Sequence, residues 1–155
     1  MFVLLMAVFL AGCEIDTEIL VSSTNPPQIT FGGSGGIYRL FISGPYTKEE
    51  MDALYSKSEP TSQKIQKQAE KTGKEEYLLW ELDPANVKTN LPNIPAITYG
   101  TVTPEFRQVY PPNGQPPAQL VEGKYYVASA PSYGANSKIT IFRIHNDKTE
   151  TISIK

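Results

Sequence analysis

Over much of the chain apolar and polar positions alternate with a period of two, and turn residues interrupt the pattern at short intervals. Leu78, Trp80 and Leu82 fall on one face of such a run, Glu81 falls on the other, and Asp83-Pro84 closes it. Ile29-Thr30-Phe31 and Ile37-Tyr38-Arg39-Leu40-Phe41-Ile42, with residues 96–102, 106–110 and 124–130, read as further strands, rich in β-branched and aromatic side chains. Residues 139–145 pair naturally with 149–154 across Asn146-Asp147-Lys148. Seven or eight short strands with turns between them predict a mainly-β chain folded as an antiparallel sandwich or barrel.

The alternation breaks in four places. Gly32-Gly33-Ser34-Gly35-Gly36 precedes a strand and not a helix, so it predicts a turn and not a phosphate cradle. Gly44-Pro45 ends the next strand. Of the thirty charged residues in the chain, thirteen then lie between Thr47 and Glu76. Thr47 and Glu50 have capping-box spacing, and Met51, Leu54 and Tyr55 share one helical face, placed to cap an open end of the core. A second helix is expected over 61–72, ending at Gly73, with only Ile65 and Ala69 on its apolar side. The whole of 46–74 reads as a charged, partly helical insertion into the sandwich. Pro111-Pro112-Asn113-Gly114-Gln115-Pro116-Pro117 predicts an extended connector with a turn at its centre.

The first twelve residues follow neither period. Eleven are hydrophobic and none is charged, a run too short to span a bilayer but long enough for the apolar part of a secretory leader. The only cysteine of the chain follows immediately. Leu10-Ala11-Gly12-Cys13 resembles the lipobox of bacterial lipoproteins, which implies cleavage after Gly12 and acylation of Cys13. Two or more acyl chains hold a protein stably on a membrane. Glu14 follows the cysteine where an aspartate would signal inner-membrane retention in enteric-type cells, so the resemblance implies an outer-membrane anchor facing the periplasm. Residues 1–12 are then the leader, 13–28 the lipidated end and a flexible tether, and 29–155 the sandwich domain; Ile19-Leu20-Val21 is the one patch in the tether that also reads as a strand.

Leu120, Gly123 and Tyr126 are spaced as in the tyrosine corner of fibronectin type III-like and immunoglobulin-like domains. That resemblance implies a tyrosine whose hydroxyl bonds backbone a few residues upstream while its ring seals one end of the core. Proline is replaced by Glu122 at the usual turn position, and Tyr125 is the alternative corner residue. The stretch from Ile97-Thr98-Tyr99-Gly100 through Leu120 to Val127 also resembles a segment of small bacterial lipoproteins of unassigned function. It carries a fold and an address and no activity.

Fourteen basic and sixteen acidic residues leave the chain near neutral, which argues against nucleic acid as a partner. One cysteine excludes an internal disulfide, and one histidine, His145, is the sole candidate general base. No Gly-x-Ser-x-Gly elbow presents a nucleophile to it. The carboxylate pairs Glu49/Glu50, Glu75/Glu76 and Glu81/Asp83 read as solvated faces, with Glu81/Asp83 the one pair placed to hold a cation. Tyr46, Tyr110 and Tyr133 lie in or beside loops and are candidates for an exposed aromatic surface. The expectation is a non-enzymatic module without cofactors, held at the membrane through Cys13 and binding an envelope protein or glycan; a hydrolase of unrecognised type or a small-ligand carrier is the alternative.

Overall fold

The computed structural model describes residues 16–33, 35–55, 77–86, 93–133, 136–137 and 139–153. The chain is mainly β. A six-stranded antiparallel sheet holds β4 (Leu40–Tyr46), β5 (Leu78–Pro84), β7 (Phe106–Tyr110), β8 (Tyr125–Ser129), β11 (Ile139–His145) and β12 (Lys148–Ile152), in the order β12-β11-β8-β4-β5-β7. A four-stranded sheet in the order β10-β1-β2-β6 is built from β1 (Asp16–Val21), β2 (Gln28–Gly33), β6 (Ile97–Thr98) and β10 (Asn136–Ser137). The pair β3 (Gly36–Ile37) and β9 (Ser132–Tyr133) forms a small ribbon. The expected antiparallel sandwich is therefore present, with eight strands of five residues or more and four of two residues among those described. Among the described residues, a two-residue parallel pairing of β1 with β10 and an isolated parallel bridge between Glu122 and Ile144 depart from antiparallel order.

Both faces of the six-stranded sheet are covered, and alternation along its strands sorts side chains between them. Tyr126, Ala128, Phe142 and Ile144 face the smaller sheet and join Ile19, Ile29, Ile97, Trp80 and Leu82 in the main core. Val127 and Ile141 point the other way, onto Tyr46, Met51 and Leu54. Met51 and Leu54 come from helix α1 (Lys48–Tyr55), so this helix covers the second face of the sheet and does not cap an open end of the core. Its start is a reciprocal capping box: the Thr47 N–H donates to Glu50 Oε2 at 2.7 Å, and the Glu50 N–H donates to Thr47 Oγ1 at 3.2 Å. The helix expected over 61–72 lies outside the described residues, as do the leader, Cys13 and most of the charged insertion.

Three boundaries differ from expectation. Residues 16–21 are not tether but β1, paired with β2 from Thr17↔Gly33 to Val21↔Ile29, with Ile19 buried beneath it. The burial of one isoleucine and a full antiparallel ladder outweighs the polar composition around Ile19-Leu20-Val21. Gly44-Pro45 does not end β4, which continues to Tyr46 through a register shift against β8. The third change is on β5. Trp80 and Leu82 are fully buried as the alternation requires, but Leu79 joins them in the core and Leu78 is only half buried. The register against β4 slips between Ile42↔Trp80 and Ser43↔Leu78, so Leu79 is the extra residue of a bulge and the inward face changes phase there.

Gly44 has φ +142°, a region that favours glycine, and a Cβ there would stand 2.6 Å from Tyr126 Cδ1 and 2.9 Å from the Tyr125 carbonyl oxygen. Gly44→Ala is accordingly expected to lower unfolding free energy by about 1–3 kcal/mol, since the buried Tyr126 ring has little room to retreat. Trp80 lies edge-on to Tyr99 at 5.4 Å between centroids and donates from Nε1 to Gln108 Oε1 at 3.1 Å. Trp80→Ala should cost more, about 3–5 kcal/mol, because it leaves a cavity and an unpaired amide oxygen. Denaturant melts of both variants against wild type check the order; a Trp80→Ala midpoint equal to wild type contradicts the packing described.

Candidate binding surface

Among the described residues, the chemistry-bearing side chains separate into structural groups and one exposed aromatic pair. Tyr126 is fully buried, its ring stacked on Phe142 at 5.4 Å, and its hydroxyl accepts from the Val121 N–H at 2.6 Å. Gly123, at φ +73°, turns the chain between Val121 and β8, and Leu120 packs half-buried against the main core. The hydroxyl-to-upstream-backbone contact implied by the tyrosine-corner resemblance is thus made by Tyr126, while Tyr125 packs against the core on the helix side.

Glu81 and Asp83 face cations of the chain itself. Arg39 Nε lies 2.8 Å from Glu81 Oε1 and 3.7 Å from Asp83 Oδ1, and an Arg107 guanidinium nitrogen lies 3.6 Å from Asp83 Oδ2. Two guanidinium groups against two carboxylates neutralise the pair and leave it a structural role at the β5–β7 edge. Among the described residues, no group of three or more His, Cys, Asp and Glu side chains is gathered for a metal ion. His145 sits at the β11–β12 turn, where Nδ1 lies 3.3 Å from Glu122 Oε1, and the same oxygen accepts from the Asn146 N–H at 2.9 Å. Asn146 and Asp147 both have positive φ, the backbone of a tight two-residue hairpin, so the carboxylate of Glu122 secures a turn.

The three loop tyrosines take three different environments. Tyr46 is buried and stacked on Tyr77 at 5.1 Å, because β4 runs on through Gly44-Pro45 and carries it under α1; the expectation of exposure is corrected there. Tyr110 is half buried at the register position of Glu81. Tyr133 is 60% exposed and is joined by Tyr38, 42% exposed, with ring centroids 5.0 Å apart and planes tilted by 50°. Tyr38 is placed by its N–H donating to the Pro131 carbonyl at 3.1 Å, Tyr133 by its pairing with Gly36. Alternation within 37–42 placed Tyr38 in a strand and gave no sign of this partnership, which depends on the β3–β9 ribbon. Two half-exposed rings against each other offer a contact surface for an amphipathic partner.

Comparison of the chain with protein-family models, with curated proteins and with solved structures finds no match. Among the described residues no helix is long and apolar enough to cross a membrane.

Burial raises the hydroxyl pKa values of three tyrosines above the ordinary value near 10. Desolvation is the main cause at each, and at Tyr126 the bond to the Val121 backbone opposes it. The unfolded chain releases these protons first as pH rises past about 10, so the native state then holds more protons than the unfolded one and stability falls. Full stability below that pH and progressive loss above it are expected, with Tyr46, Tyr99 and Tyr126 forming tyrosinate only as the protein unfolds. An alkaline titration following ultraviolet absorbance and circular dichroism together checks this; all tyrosines ionising as one exposed class in a folded protein would refute it.

Proposed function

We propose that this chain is a lipid-anchored module of the cell envelope, held on the outer membrane by acylated Cys13 with its domain in the periplasm. It acts there as a non-catalytic binding or structural module whose partner is an envelope protein or a glycan. The observation that carries this reading is the uncharged apolar run ending in Leu10-Ala11-Gly12-Cys13, followed three residues after the cysteine by the first strand of the folded domain. The acylated cysteine supplies membrane attachment without a spanning helix, since each buried methylene contributes about 0.8 kcal/mol and two chains suffice. The β-sandwich-like fold supports a binding role because it presents loops and an exposed aromatic pair on a rigid frame.

Cys13→Ser should release the protein from membranes into the soluble envelope fraction and leave the leader uncut or cut elsewhere. Fractionation with mass spectrometry of the N-terminal peptide checks this. A wild-type chain carrying an unmodified thiol at Cys13 would end the anchoring reading. Pull-downs from detergent-solubilised membranes with lipidated protein, set against Cys13→Ser, then identify the partner.

A further inference from the structure

On the reading that Cys13 is acylated, the position of β1 decides which end of the domain meets the bilayer. Two residues, Glu14 and Ile15, separate Cys13 from Asp16, so three steps of chain reach at most about 11 Å even when fully extended. The end of the domain holding Asp16 is therefore kept beside the headgroups, whose layer is itself only about 5–7 Å deep.

The exposed tyrosine pair lies at this end. Thr17 Oγ1, one residue into β1, donates to Ser132 Oγ at 2.8 Å, and Tyr133 is the next residue. Thr17 also faces Gly33 across the β1–β2 ladder, and Gly36 on the following strand faces Tyr133. The opposite end of the domain holds the β11–β12 turn, because Thr149 Oγ1 donates to the Thr24 carbonyl beyond the far end of β1. The seven residues of β11 put about 20 Å between the two ends.

We propose that Tyr38 and Tyr133 are a membrane-contact site, their rings entering the headgroup layer of the bilayer that holds the lipid on Cys13. Tyrosine favours that layer because its ring is apolar and its hydroxyl remains hydrated. Charge contributes little. Among the described residues, Arg39, next to Tyr38 in sequence, is engaged with Glu81 and Asp83 and Arg107 with Asp83, and β1 carries Asp16 and Glu18 at this end, so these residues make no basic patch for anionic lipid. The contact is accordingly with zwitterionic headgroups and persists in high salt. It gives the module a fixed orientation, with the Asn146-Asp147 turn directed away from the membrane.

The test uses the full lipidated chain in phosphatidylcholine vesicles bearing a nitroxide on the headgroup. Acylation consumes the thiol of Cys13, so Tyr133→Cys, or separately Tyr38→Cys, provides a single site for a polarity-sensitive fluorophore. Lys148→Cys, exposed at the far end, provides the control. The expected result is a blue shift and strong loss of fluorescence at 133 and 38, unchanged by high salt, with neither at 148. If mass spectrometry confirms the lipid but labels at 133 and 38 are as unquenched as at 148, the inference is overturned and the anchoring reading stands. A chain without lipid defeats the anchoring reading itself and the inference with it. A blue shift at 133 that appears without vesicles, rising with protein concentration or on adding peptidoglycan fragments, would assign the pair to a second copy or a glycan and overturn the membrane contact.

Discussion

The Tyr126 ring occupies the space over Gly44 that a side chain at that position would fill, and much of the six-stranded sheet depends on that contact. Gly44 sits in β4, which pairs with β8 on one side and β5 on the other, so a strain at Gly44 propagates into both ladders. Tyr126 in turn ties the turn before β8 to the strand through its hydroxyl at Val121, and its ring lies on Phe142 of β11. One glycine without a Cβ and one buried tyrosine thus align three central strands with the loop that enters them.

The same sheet is stabilised on two sides by different means. Toward the smaller sheet the core is aliphatic and aromatic, and threonines at its border bond across to the β1–β2 hairpin: Thr149 Oγ1 donates to Thr24 and the Thr149 N–H to Ser23. Toward α1 the cluster is smaller and depends on a helix of eight residues, which is marginal alone and is held by its capping box and by Met51 and Leu54. At the edge, Gln108 joins the layers to the proline-rich connector, since its side chain accepts from Trp80 and donates to the Pro111 and Gln115 carbonyls at 2.7 Å each. A polar residue on an edge strand so gives a buried tryptophan its partner and a loop its shape.

This architecture bears on how the module would present itself. A tether of fifteen residues would let the domain sample many orientations, whereas β1 beginning at Asp16 leaves a short span after Cys13. The ribbon β3–β9 continues the β4–β8 ladder, turns toward the start of β1 and carries the tyrosine pair with it. The short span between Cys13 and β1 and the exposed rings at one end are separate features of the chain, and with Cys13 acylated both would favour the same orientation.

By itself the sequence determined the fold class, the strand over Phe106–Tyr110, the final hairpin, the capping box at Thr47 and Glu50, and the interior place of Trp80 and Leu82. These are local: a period of two, a three-residue spacing or a turn dipeptide is complete within a few residues of chain. Only the tertiary structure decided that 16–21 is a strand, that Leu79 replaces Leu78 in the core, that α1 covers a second face and that Tyr46 is buried while Tyr38 is not. Each of these depends on a partner distant in sequence. Beyond its hairpin partner β2, β1 needs the threonines of β11 and β12, and the bulge at Leu79 is a relation between two strands separated by the charged insertion. The tyrosine pair exists because residues 38 and 133 are brought together by a ribbon whose two halves lie about a hundred residues apart, and no pattern within either half contains that information.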